Sequence, residues 1–274
     1  MKSEDFNFLS DLLKKRSGLI ISEDKLYLLE SRLVPLARKR GMNGLDDLVK
    51  AMRFSPEEQL LVDVTEAMTT NESSFFRDIK PFENFRNTVL PDLLETRAAK
   101  RSIRIWCAAA STGQEPYSLA MCLREEAVKL SGWRVEIVAT DLSQEVLDKA
   151  SAGLYSQFEV QRGLPIQLLI KYFNQVNDLW QIDSSIRAMV KYQPLNLLKN
   201  FSQLGAFDVV FCRNVLIYFD QQTKGEVLGN IAHQMPSDGY LFLGGAETVL
   251  GICDSFNPMD GLRGIYRLSP QTPH

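Results

Sequence analysis

Residues 102–120 read SIRIWCAAASTGQEPYSLA. Residues 103–107 are a short apolar run after a charged segment, and predict a buried strand. Six small residues follow, from Ala108 to Gly113. Glu115 and Pro116 come next, and proline is favoured in the first turn of a helix. The stretch therefore reads as strand, tight turn, helix. In open α/β sheets such a turn is where a nucleoside cofactor lies against the backbone. Glu115 narrows the chemistry. Phosphate-binding turns present N–H donors and neutral or basic residues. A carboxylate here repels a pyrophosphate but can accept hydrogen bonds from an ammonium group.

Outward from this stretch, apolar runs at 135–140, 207–212 and 240–243 predict further strands, and 264–268 predicts a last one. Helices are expected at 116–130, 144–150 and 221–235. The alternation predicts an α/β fold, a parallel sheet with helices on both faces. Residues 1–80 read instead as an all-α domain. Leu26, Leu29, Leu33 and Leu36 give one apolar helical face, and Pro35 is expected to kink or restart that helix. Ser55 and Pro56 read as the cap and first position of another helix. Within the second domain, 81–274, the segment at about 154–192 breaks the βαβ rhythm. It has a helix-like piece at 165–173. Two β-like pieces follow at 179–182 and 188–192, separated by Asp183-Ser184-Ser185. It reads as a small hairpin-bearing insertion, a docking surface rather than a reaction site.

Bulk properties exclude several classes. With 274 residues, 45% hydrophobic, and a formal charge of -3, a core is accessible and wholesale nucleic-acid binding is not signalled. The start, MKSEDFNFLSDLL, lacks a basic region followed by a long apolar one, so no signal peptide is expected. No run approaches the ~18 apolar residues of a membrane span. Four cysteines form no CxxC pair, and the two histidines argue against a metal site or a Ser-His-Asp triad. A cytoplasmic enzyme, monomeric by default, is the expectation.

Several residues carry candidate chemistry. Asp141 ends the second strand, where an acid can take ribose hydroxyls or cap the following helix. No G-x-G-x-x-G or G-K-[ST] loop is present. S-adenosylmethionine, with an ammonium and ribose but no phosphate, fits Glu115 and Asp141 better than a dinucleotide does. Arg213 and Asn214 interrupt an apolar run at a strand's carboxyl end, where ligands sit in such sheets. Tyr218, four residues beyond Asn214, reads either as a rim residue or as an aromatic of the core. In TTNESSFFR at 69–77, two phenylalanines precede Arg77. That segment is either a loop pinned by buried rings or a lid bringing a guanidinium to an anionic substrate. Lys25, Arg32 and Lys39 recur at seven-residue spacing beside the leucine stripe, and Arg38 and Arg40 add charge. This is a solvated face or a landing surface for an acidic partner.

Taken together, TTNESSFFR (69–77), IWCAAASTGQEPYSLA (105–120), ATDLSQEVL (139–147), PLNLL (194–198) and FDVVFCRNVLIYFD (207–220) resemble the CheR family of chemoreceptor glutamate O-methyltransferases. The resemblance covers nearly the whole chain in the family's order. It implies an S-adenosylmethionine-dependent methyltransferase sheet, Rossmann-like, with a small inserted β-subdomain and an all-α N-terminal domain. It further implies that Asn71, Ser73 and Arg77 approach the cofactor from the interdomain loop. Glu115 would hold the amino group, Asp141 the ribose, and Asn196 and Leu197 would flank the adenine. Arg213 and Asn214 would line the same pocket, with Arg77 and Tyr218 at the methyl group and substrate glutamate. The implied product is a glutamate methyl ester with S-adenosylhomocysteine, serving adaptation in chemotaxis. Lys25, Arg32, Arg38, Lys39 and Arg40 would meet the receptor's cytoplasmic coiled coil at receptor arrays. Gln114 replaces the first glutamate of the family's Gly-Glu-Glu. Residues 174–186 lack the glycine-rich turns of members that dock on a receptor tether, so a tether-independent enzyme is expected. A non-catalytic module of the same fold, or a different methyl acceptor, are the competing readings.

Overall fold

The computed structural model describes residues 1–269 and divides into two compact units. The first comprises Met1–Thr70 together with Tyr218–Thr223. Four helices build it: α1 (Ser3–Ser17), α2 (Leu26–Lys39), α3 (Leu45–Phe54) and α4 (Glu58–Met68). Each is amphipathic, and Leu9, Leu13, Leu29, Leu33, Leu48 and Val64 are fully buried where the apolar faces meet. Two expectations meet the structure here. Helix α2 does not restart at Pro35 but runs through it, its buried face continuing from Leu33 to Ala37. Ser55 closes α3, its N–H bonded to the Ala51 carbonyl, and α4 starts only at Glu58.

The second unit, Asn71–Ile217 with the chain from Lys224 onward, holds ten strands among the described residues. They are β1 (Ser102–Ala108), β2 (Arg134–Asp141), β3 (Leu154–Ser156), β4 (Phe173–Val176), β5 (Leu179–Ile182), β6 (Val190–Pro194), β7 (Val209–Cys212), β8 (Tyr240–Leu243), β9 (Phe256–Met259) and β10 (Leu262–Leu268). Seven form one sheet in the order β6-β2-β1-β7-β8-β10-β9. β6, β2, β1, β7 and β8 are parallel, and β10 and β9 run antiparallel at one edge. The strand order reverses between β1 and β7, so ligand chemistry is expected at the carboxyl ends of those strands. The core is rich in aromatics: Phe211 stacks on Phe242 at 4.2 Å, and Trp106 packs on Phe201 at 5.0 Å. At the amino ends of these strands Arg97 is clamped by Asp208 and by both oxygens of Asp238, while Asp208 also accepts from the Arg104 N–H.

The inserted segment differs from its expected form. Its small sheet is β3-β5-β4, with β4 and β5 joined by Asn177, whose φ of 54° suits a tight turn. The second β-like piece does not pair with β5. It becomes β6, the parallel edge strand beside β2. The segment before 80 also belongs to this unit rather than to the helices: Phe75 is fully buried against Tyr155 and Phe173.

Candidate functional site at the carboxyl edge of the sheet

The turn after β1 is left-handed at Ala109 (φ 59°), Ser111 (φ 52°) and Gly113 (φ 92°). Small side chains tolerate this path, and glycine is required at 113. A Cβ there would lie 2.8 Å from the Tyr192 hydroxyl and 2.9 Å from Ala150 Cβ. The turn is braced from three directions. Ser111 N–H donates to Asp141 (2.8 Å), Ser111 Oγ donates to the Asn71 carbonyl (2.7 Å), and the Tyr155 hydroxyl donates to the Thr112 carbonyl (2.8 Å). Asp141 is buried, and its other oxygen accepts from Ser143 N–H at 3.1 Å. Ser143, not Asp141, is the cap position of the next helix. Leu195 N–H donates to the Asp141 carbonyl, which brings Asn196 and buried Leu197 beside it. Asn196 Oδ1 accepts from Leu198 N–H.

Arg213 is the hub. Its side chain is 1% exposed, donating to Glu115 (2.7 Å), to Asp78 (2.8 Å) and to the Arg77 carbonyl (3.0 Å). Its Nε is buried without a partner. Burial raises the Glu115 carboxyl above its ordinary range, and the charge of Glu247 adds to this; Arg213 and Arg77 oppose it. Arg77 is partly exposed and donates to the Glu72 carbonyl at 3.2 Å. Both phenylalanines before it are buried, and Phe76 N–H donates to Ser118 Oγ (2.9 Å). Ser73 is partly buried in the same segment. Left-handed backbone recurs here at Phe76, Asp78 and Ile79, and again at Asn214. Strain of this kind gathers at functional sites.

Asn71, Ser73, Arg77, Glu115, Asp141, Asn196, Leu197, Arg213 and Asn214 thus lie on five segments of one unit. Tyr218 falls within the helical unit, its carbonyl accepting from Ile20 N–H. The basic residues of the helical unit also separate. Arg32 donates to the carbonyls of Met68 and Thr69, each at 2.8 Å, and to Thr70 Oγ1. Arg40 pairs with Asp63 at 2.7 Å and with Glu57. Those two guanidiniums tie α2 to α4 rather than forming an open landing surface, whereas Lys25, Arg38 and Lys39 are exposed.

Sequence reasoning missed Asp78, Ser118, Tyr155 and Glu247. Glu247 had a usable signal, since it follows β8 at the carboxyl end of a parallel strand. Among the described residues no group of His, Cys, Asp and Glu is placed to hold a metal ion, and no helix is long and apolar enough to cross a membrane.

The donor set can be tested against a sulfonium amino acid. Arg77 and Arg213 stand against Asp78, Glu115, Asp141 and Glu247, two carboxylates in excess. S-adenosylmethionine carries one net positive charge, so an acidic site suits it. Glu115 Oε1 takes no hydrogen bond among the described residues, while Oε2 holds Arg213.

Strand order, turn and acidic site together define a methyltransferase fold that uses S-adenosylmethionine. The description "CheR methyltransferase, SAM binding domain" matches residues 71–265, and "CheR methyltransferase, all-alpha domain" matches 4–69. Chemotaxis protein methyltransferase Cher2 of Pseudomonas putida is 39% identical over 95% of this chain and 96% of its own length. Chemotaxis protein methyltransferase 1 of Pseudomonas aeruginosa is 40% identical over the same shares, and that of Vibrio cholerae is 37% identical over 98% of each. The chain belongs to the CheR methyltransferase family. It is an S-adenosylmethionine-dependent methyltransferase of chemotaxis.

Proposed function

We propose that the methyl acceptor is a glutamate side chain in the cytoplasmic coiled-coil region of a chemoreceptor, and that the product is its methyl ester. The observation that carries this reading is the Arg213 hub, which joins Glu115 to the backbone of Arg77. It links a carboxylate suited to an ammonium with a guanidinium suited to an acceptor carboxylate.

S-adenosylmethionine supplies, when bound, an electrophilic methyl on a sulfonium. Glu115 Oε1 accepts from the cofactor's ammonium. Asp141 takes the ribose hydroxyls, and Asn196 and Leu197 flank the base. Asn71 and Ser73 close over the methionine portion, and Asn214 lines the same pocket. An acceptor carboxylate is already ionised at neutral pH, so these residues need hold no proton for it. Arg77 orients that carboxylate. The chain's contribution is alignment and the exclusion of water.

Recruitment to receptor arrays follows from the helical unit. Lys25, Arg38 and Lys39 form its exposed basic stripe, suited to an acidic coiled coil. Arg32 and Arg40 are withdrawn from that role by their internal partners. The enzyme acts as a monomer in the cytoplasm and needs no receptor tether.

The test is mass spectrometry of purified receptor fragments after incubation with enzyme and cofactor. Base-labile methyl groups on glutamate are expected; methylation confined to other residues overturns the reading. A charge-reversed Arg38→Glu, Lys39→Glu enzyme should show a receptor KM raised about tenfold at low salt, with unchanged cofactor affinity and Tm.

A further inference from the structure

The turn after β7 carries Arg213 and Asn214, and one distant side chain holds it. Glu247, in the loop after β8, is a carboxylate that accepts four backbone N–H groups. Its Oε2 accepts from Asn214 (2.8 Å) and Gly244 (2.6 Å), and its Oε1 from Val215 (2.9 Å) and Ile217 (3.3 Å). The two loops close with no space to spare. A Cβ on Gly244 would lie 2.7 Å from Glu247 Oε2, 2.8 Å from Asn214 Nδ2 and 3.0 Å from Asn214 N. Asn214 itself is left-handed, at φ 60°.

We propose that Glu247 is a positioning residue for cofactor binding: by gathering the N–H groups that follow Arg213, it fixes the guanidinium between Glu115 and Asp78. The inference rests on the reading that Glu115 receives the cofactor's ammonium. Three features carry it. The four donors come from both loops, so the carboxylate staples one to the other. Its partners begin at the residue next to Arg213, whose side chain is sealed from water. Its charge is felt at Glu115, which otherwise faces Arg213, Arg77 and the buried thiol of Cys107.

Glutamine is the sharpest substitute because it keeps the shape. Each carboxylate oxygen accepts two N–H groups, so either orientation of the amide turns an NH2 toward two donors. Binding of S-adenosylhomocysteine to the full chain is measured by calorimetry across acid to neutral pH. Glu247→Gln should bind about tenfold more weakly at neutral pH. The acid limb of its affinity should also move to lower pH, because a charge that raised the Glu115 carboxyl has gone. Gly244→Ala displaces the same carboxylate without removing charge. It should weaken binding with the acid limb in place, and it keeps the test open should the glutamine variant misfold.

Affinities within twofold of the parent in both variants overturn the proposal. So does a Glu247→Gln protein that binds more weakly at every pH with an unmoved limb, since that is a merely structural loss. Glu115→Gln separates this from the underlying reading. If that variant binds like the parent, the ammonium assignment itself has failed. If it binds weakly while Glu247→Gln does not, only the positioning role has failed.

Discussion

The turns after β1 and β7 stand at the carboxyl ends of neighbouring parallel strands, yet they are held by opposite means. The β1 turn is shaped from within. Its residues are small, three of them are left-handed, and one position requires glycine. The β7 turn is shaped from without. Its residues are ordinary in size, and a carboxylate thirty-three positions away gathers their N–H groups. The first takes its path from local sequence, with distant residues bracing it at three points, and the second takes its path from one tertiary carboxylate. They meet through the Arg213–Glu115 pair, one partner from each turn.

The most damaging way to break the internally held turn is Gly113→Ala. Left-handed backbone and the contact with the Tyr192 hydroxyl act together, so the variant should lose about 2–5 kcal/mol of stability. Cofactor binding should fall below detection in calorimetry. A Gly113→Ala protein with parental Tm and affinity would show that the turn relaxes easily, and the contrast between the turns would collapse.

Glu115→Gln strikes where the turns join. Cofactor affinity should drop about 10- to 100-fold, the loss of a charged partner for an ammonium. Stability should respond the other way. The folded carboxyl lies above its ordinary range, so its linkage contribution is present in acid, below the unfolded pKa, and is lost as pH rises through the folded one. At neutral pH the ionised side chain is therefore a net burden, and the glutamine variant should keep or raise Tm. In the parent the same carboxyl must ionise to hold an ammonium. Cofactor affinity should accordingly fall as pH drops through its raised pKa, and in Glu115→Gln that dependence should vanish. A variant that loses Tm at neutral pH and keeps the acid limb would contradict both.

This contrast also governs what the sequence disclosed. Ser111, Gly113 and Glu115 stand within one short window, so strand, turn and helix were legible there. β7 was legible as an apolar run, but nothing near Arg213 names Glu247 as its brace. The inserted segment shows the same limit. β6 buries Val190 while leaving Lys191 exposed, a pattern that serves a hairpin strand as well as a parallel edge strand. The seven-residue spacing of Lys25, Arg32 and Lys39 placed them on one helix. It could not reveal that carbonyls at the end of α4 occupy Arg32. Pro35 reads as a kink or restart because a missing N–H is a local property, whereas the burial of Leu33 and Ala37 that carries α2 through it is not.

The smallest effect tests whether the β1 turn is wholly self-sufficient. Tyr155 comes from β3 of the small sheet, and its hydroxyl is the turn's support at Thr112. Tyr155→Phe keeps the ring that packs edge-on to Phe75 at 5.0 Å and to Phe173 at 6.4 Å. It removes a single donor, and Thr112 is only partly buried, so water can replace part of the bond. The loss should be about 1 kcal/mol, with cofactor affinity down a few-fold. Burial raises the phenol of Tyr155 well above its ordinary range, so it remains a donor throughout the neutral and mildly alkaline range. Its deletion should therefore lower affinity by a constant factor from about pH 6 to pH 9. A constant factor here, beside the acid limb that Glu115 imposes, would mean that the small sheet supports the turn by geometry alone. No measurable change would mean that the turn's own residues suffice. A loss as large as that of Glu115→Gln would place the β1 turn, like its neighbour, under the control of a distant residue.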